Sequence, residues 1–231
     1  MKPKDLKFPF SWDERRPLIF ENILFVPQYY MNHREWGFVN WYSPQVFKDQ
    51  LPIHIEYCSG NGSWLIEKAK NHPEINWIAV EKKFERVRKI WSKMRNLNLT
   101  NILIVCGEAL TFTKNYVADV SFQKVYINFP DPWPKEKHAS NRLLQEPFLT
   151  ELSKKSKPQS ETIVATDHLD YVKQIVSAVS SSKKWDFSLK SPFYTSHWED
   201  YGSSYFEQLW RAKGKQVYYL PFLNKVKNAV F

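Results

Sequence analysis

From Ile53 to Val179, short runs of β-branched and apolar residues alternate with stretches of helical periodicity, and this cadence restricts the possible folds more than any other feature of the chain. The strand-like runs are 54–57, 75–80, 101–106, 125–127 and 162–165. Helical spacing follows them over 63–70, 84–97, 109–117, 143–155 and 171–179. In the second helical stretch, Val87, Ile90, Trp91 and Met94 fall on one face, as an amphipathic helix requires. Strands separated by helices need crossover connections, so the reading is an α/β fold with a mostly parallel sheet covered on both faces. After Ser180-Ser181-Ser182 the rhythm changes. Residues 185–189 and 216–220 read as two strands with no helix between them, paired antiparallel at one edge. Residues 1–50 are punctuated by proline and rich in rings, among them Phe8, Phe10, Trp12, Phe25 and Trp36, and read as an irregular arm packed on a domain spanning 51–231.

Composition narrows the partners. The chain has 231 residues, 43% of them hydrophobic, enough for a sizeable core. Its 33 Lys and Arg outnumber 24 Asp and Glu, giving a net charge of +9 that suits a polyanion. Cys58 and Cys106 form no Cys-x-x-Cys pair and the histidines show no ligand spacing, so neither a disulfide scaffold nor a metal site is expected. No apolar run reaches the length of a membrane span and residues 1–5 lack a signal core, which makes a reducing cytoplasm the expected compartment.

In an open α/β sheet, ligands bind outside the carboxyl ends of the strands. The first strand ends in Glu56-Tyr57-Cys58-Ser59-Gly60-Asn61-Gly62, where Gly60 and Gly62 allow backbone to approach a ligand at a helix N-terminus. Leu65 stands where a dinucleotide fingerprint needs its third glycine, and Glu56 would repel a pyrophosphate, which disfavours a nicotinamide dehydrogenase. Glu81 ends the second strand at the spacing of an acid that accepts from ribose hydroxyls, or else pairs with Lys82 or Lys83. Glu108 follows the third strand, where an adenine amino group can be held. Three acids beside a Gly-x-Gly turn suit a cationic nucleoside, and S-adenosylmethionine, with its sulfonium and ammonium groups, is one. After the fourth strand, prolines at 130, 132 and 134 bar both helix and further sheet pairing. That turn fixes the directions of Asp131, Trp133 and Lys135, whether for binding or only as a rigid surface corner.

Glu56 to Gly62, Glu81-Lys82-Lys83 with Arg86, Gly107-Glu108-Ala109, Asn128 to Lys135, Ala165-Thr166-Asp167 and Ser204-Tyr205-Phe206-Glu207 together resemble the bacterial tRNA (guanine-N7)-methyltransferase family. The resemblance spans roughly residues 20–222, and the Asn-Phe-Pro-Asp-Pro-Trp-x-Lys run is its most specific part. It implies a Rossmann-like class I methyltransferase with a seven-stranded, mostly parallel sheet, S-adenosylmethionine as donor and tRNA as partner, without metal or membrane, as a monomer or homodimer. By the same resemblance Glu56, Gly60, Gly62, Glu81, Glu108 and Asp131 would bind the donor, with Asp131 also catalytic. Lys135, Asp167, Ser204, Tyr205, Phe206 and Glu207 would hold the substrate guanosine, and Lys137, His138 and Arg142 would meet RNA.

The chemistry agrees with that implication. Guanine N7 carries a lone pair and no proton, so its methylation needs positioning and charge stabilisation rather than a general base. Four departures from the family pattern stand out. Cys58 replaces the first glycine of the loop and Ser59 a frequently apolar residue; a positive φ at position 58 would cost about 1–2 kcal/mol. Glu108 stands for Asp. Ser140 and Asn141 replace basic residues, which predicts weaker phosphate contacts there. Ser204 replaces Thr, and Leu209 stands where Arg is common. The alternative is a non-catalytic tRNA-binding protein on the same fold whose donor affinity has been lost through Cys58 and Ser59.

Overall fold

The computed structural model describes residues 1–11 and 14–225, so Trp12 and the end of the 51–231 segment lie outside the described residues. The chain forms two compact units, Met1–Ala118 and Asp119–Phe231.

The first unit opens with an antiparallel hairpin of β1 (Leu18–Phe20) and β2 (Ile23–Phe25), inside the stretch expected to be irregular. Its two-residue loop, Glu21-Asn22, has φ of 53° and 59°, the left-handed pair that a tight hairpin turn demands. Three-residue strands are too short for alternation to reveal. What makes β2 a strand is its parallel pairing with β5 (Ile102–Cys106), which leaves Ile23, Leu24 and Phe25 fully buried. A short helix, α1 (His33–Trp36), precedes β3 (Ile53–Tyr57), α2 (Ser63–Asn71), β4 (Asn76–Glu81), α3 (Phe84–Asn96), β5 and α4 (Ala109–Tyr116). The strand order is β1-β2-β5-β4-β3, parallel from β2 to β3. Every residue of β4 is buried, as a strand covered on both faces requires. Helix α3 buries Val87, Ile90, Trp91 and Met94, the face read from sequence, and packs on β5.

The second unit contains β6 (Phe122–Asn128), α5 (Glu146–Lys155), β7 (Ser156–Thr166), α6 (Leu169–Ser181), β8 (Trp185–Phe187), α7 (Tyr205–Ala212) and β9 (Tyr218–Asn224). Strands β6 and β7 are parallel, whereas β9 lies antiparallel between β7 and β8. The expected antiparallel closing pair is therefore present, but the absence of a helix between its strands is corrected by α7. Periodicity missed α7 because the one residue it buries is a charged one, Glu207. Nine strands occur among the described residues, against seven expected; β3 to β9 match the expectation and the β1–β2 hairpin is the addition.

Candidate active site

In the first unit the strand register sets the carboxyl ends level. Tyr57 lies opposite Val80, Glu81 opposite Cys106, and Cys106 opposite Phe25. Hydrogen bonds then tie these ends in series. Ser59 N–H donates to Val80 O (3.1 Å), Gly60 N–H to Glu81 Oε2 (3.0 Å), and Gly107 N–H to Glu81 O (3.1 Å). Glu81 is buried, and Lys83 N–H donates to its Oε1 (2.8 Å) while Arg86 stands 3.6 Å from Oε2. Its carboxylate is thus held by the backbone amides of Gly60 and Lys83 with Arg86 beside it, and one charge fixes both the Gly60 loop and the start of α3. Hydrogen bonds to a charged acceptor of this kind contribute about 1.5–3 kcal/mol each. Glu56 is buried in β3 on the strand leading into that loop.

Cys58 adopts φ 61°, so the cost raised at that position is incurred, about 1–2 kcal/mol. The loop is braced from its other side by Lys93 of α3, whose Nζ donates to Asn61 O (2.9 Å) and Ser63 Oγ (3.0 Å); burial, and then Lys89, lower the pKa of this amine. Gly60 and Gly62 both have positive φ, 57° and 73°. At Gly62 a Cβ would lie 2.8 Å from Ile90 Cγ1, so the close approach of α3 by itself demands glycine there.

Glu108 is exposed and caps α4, accepting from Leu110 N–H (2.9 Å) and Thr111 N–H (2.6 Å). It also lines a cavity of about 290 Å³ together with four phenyl rings, the cationic side chains of Arg15 and Lys82, and Gly107. Cys106 lines the same cavity; burial, and then Glu81, push its thiol up to about 12, so it presents a neutral surface.

The second unit is organised differently, through side chains. Asn128 is buried at the end of β6 and its Oδ1 accepts from Tyr201 Oη (2.5 Å). Phe129 N–H donates to Ala165 O (2.8 Å), and then the chain leaves the sheet. Phe129 and Trp133 hold φ of 48° and 41°, left-handed conformations at both ends of the proline turn. Such strain persists only where the surroundings enforce it. At Trp133 Arg142 does so: its Nε donates to Pro132 O (2.7 Å), Nη2 to Trp133 O (3.2 Å) and Nη1 to Gln174 Oε1 (2.7 Å). Trp133 meets His138 edge-on at 5.8 Å, whereas Asp131, Lys135 and Lys137 are exposed.

Asp167, just past β7, accepts from Lys215 Nζ (2.6 Å), which also lies 3.9 Å from the Trp210 ring centroid. Ser204 caps α7 by accepting from Glu207 N–H (3.1 Å). Glu207 is buried; its Oε1 accepts from Tyr219 Oη (2.7 Å) and Arg211 Nε (2.9 Å), and its Oε2 is buried without a hydrogen-bond partner among the described residues. Burial, and then the bond to Glu207, raise the pKa of Tyr219, which keeps it a donor. Tyr205 is half exposed, and Phe206 lies 6.2 Å from the Phe129 ring, so α7 and the proline turn meet within this unit. Sequence reasoning missed Tyr201, Tyr219, Arg211 and Lys215, because a partner supplied from another element leaves no local pattern.

Residues 50–220 match a family model described as "Putative methyltransferase". The chain is 45% identical to the tRNA (guanine-N(7)-)-methyltransferase of Chlamydia trachomatis serovar D over 98% of its own length and 99% of the relative's. It is 30% identical to the enzyme of that name from Staphylococcus haemolyticus, covering 74% of this chain and 80% of the relative. Among solved structures, the 16S rRNA methyltransferase KamB superposes with a TM-score of 0.57 at 13% identity, covering 81% of this chain and 94% of that one. The 16S rRNA (adenine(1408)-N(1))-methyltransferase from Catenulisporales acidiphilia, solved with its cosubstrate, gives 0.54 at 14% identity over 78% and 88%. These structural likenesses concern the fold, a Rossmann-like class I methyltransferase.

Proposed function

The chain belongs to the tRNA (guanine-N(7)-)-methyltransferase family, and from that premise we propose that it transfers a methyl group from S-adenosylmethionine to N7 of a guanine in the variable loop of tRNA. The observation that carries the reading is the row of level strand ends in the first unit, where Glu56, Glu81 and Glu108 accompany a loop of positive-φ glycines. The donor set fits the group. Carboxylates suit a sulfonium and an ammonium, and the four phenyl rings that line the cavity beside Glu108 suit a flat heterocycle. On this reading Glu56 and the Gly60–Gly62 loop hold the amino-acid end, Glu81 the ribose, and Glu108 the exocyclic amine.

When bound, the donor supplies a methyl carbon activated by positive sulfur. N7 forms its bond to that carbon with its own lone pair while the carbon–sulfur pair stays on sulfur, so no proton is moved. Asp131 and Lys135, on a turn stiffened by three prolines and by Arg142, orient the guanine, and Asp131 stabilises the cation that develops on the ring. Glu207 suits the guanine N–H edge, since its Oε2 is a desolvated acceptor lacking a donor among the described residues. Asp167, Ser204, Tyr205 and Phe206 complete the base-holding side; Lys137 and His138 meet RNA, and Arg142 acts by bracing the turn.

The test is nucleoside mass spectrometry on unmodified tRNA incubated with the protein and methyl-labelled donor. Labelled 7-methylguanosine is expected. Its absence, together with no donor binding by calorimetry, rejects the reading; tRNA retention with donor binding absent identifies a binding protein instead.

A further inference from the structure

The N-terminal segment is pinned along α3. Arg88, Ser92 and Asn96 recur at every fourth position, one face of a helix, and each donates to a backbone carbonyl of the segment: Arg88 Nε to Pro3 O (2.7 Å), Ser92 Oγ to Met1 O (2.7 Å) and Asn96 Nδ2 to Met1 O (3.0 Å). Leu6 is buried next in the chain. The segment then passes over the cavity of about 290 Å³, to which it contributes Phe8 and Phe10. Phe8 stacks on Phe84 with centroids 3.8 Å apart, and Phe10 meets Phe25 edge-on at 5.8 Å. Two of the four rings therefore come from the strap and two from the sheet and α3. Phe8 is 46% exposed, an open position for a large apolar side chain that already has a stacking partner.

Resting on the methyltransferase reading, we propose that residues 6–10 are a donor-retaining strap, with Phe8 and Phe10 forming the outer wall of the pocket that takes the donor's adenine. The chemistry of the cavity suits a flat π-system with an exocyclic amine. Four phenyl rings supply faces and edges, the thiol of Cys106 is neutral, Arg15 and Lys82 also reach the lining, and the exposed carboxylate of Glu108 accepts from an amino purine and rejects an oxo purine. Placed at the adenine end of the donor, the strap would act on donor affinity and residence rather than on the chemical step. Anchoring on α3 prepays the ordering of a segment that a mobile lid would have to order at each binding event.

The experiment is titration calorimetry of the full chain with S-adenosylhomocysteine, comparing wild type with Phe8→Ala/Phe10→Ala and with Arg88→Ala/Ser92→Ala/Asn96→Ala. Both variants are expected to bind about tenfold more weakly, the worth of a pair of lost ring contacts, with tRNA affinity unchanged. Equal affinity in wild type and the phenylalanine variant overturns the strap, whereas failure of wild type to bind overturns the methyltransferase reading beneath it. A variant that does not fold is bypassed by hydrogen exchange on wild type: amides of residues 6–10 are expected to exchange more slowly with the ligand bound. Exchange that the ligand leaves unchanged overturns the proposal.

Discussion

The two units solve the same problem, holding acids in fixed positions, by opposite means. In the first, Glu81 and Glu108 are held by backbone N–H groups, with Arg86 beside Glu81. In the second, Glu207 is held by Tyr219 and Arg211, and Asp167 by Lys215, all side chains. Backbone amides arrive at set positions once a parallel sheet has formed, so the carboxylates of the first unit are as well placed as its strands. Side-chain partners must be brought from α7, β9 and the segment after α7, which ties the second unit's acids to the packing of its last elements. Damage to the first unit should therefore show in loop geometry and donor affinity, and damage to the second in recognition of the acceptor base.

Asp131 gives the largest expected effect. Replacing it with alanine should lower kcat by roughly 10²–10³-fold, the scale for one lost stabilising group, with the melting temperature unmoved because the side chain is exposed. Near-normal turnover would remove Asp131 from the chemistry. For Glu81→Ala, calorimetry should show donor affinity down by about 10–100-fold together with lower stability, since one change frees the amides of Gly60 and Lys83. If donor affinity survived, the loop would be shown to hold itself.

Glu207→Gln sharpens the contrast from the other side: kcat/KM for tRNA should fall about tenfold while donor affinity stays constant. A fall in donor affinity instead would blur the division between the units. Cys58→Gly is the mildest change, and relief of the left-handed strain, less the added freedom of the unfolded chain, should stabilise the protein by about 1 kcal/mol, or 2–4 °C in thermal melts. A lower melting temperature would mean that the thiol packs better than its backbone is strained.

Much of this was legible in the chain because it rests on local repetition. The strands from β3 to β7, the apolar face of α3 and the acids at strand ends follow from side-chain period and from where each apolar run stops. The proline turn was legible for a similar reason, since three missing N–H groups forbid the strand from continuing. By contrast, β1 and β2 are too short to carry a period and exist through the edge of β5, while α7 turns a charged residue inward and so inverts the usual pattern.

What the sequence by itself determined is the α/β order, the acids that follow its strands and the resemblance that names the family. Only the tertiary structure decided that Glu81 is gripped by backbone amides, that Gly62 answers to Ile90, that Arg142 braces the turn, and that phenyl rings from the N-terminal segment wall a cavity. The physical reason is range. Periodicity and proline act on neighbours along the chain, whereas each of these contacts joins residues that become neighbours only when the sheet and its helices have packed.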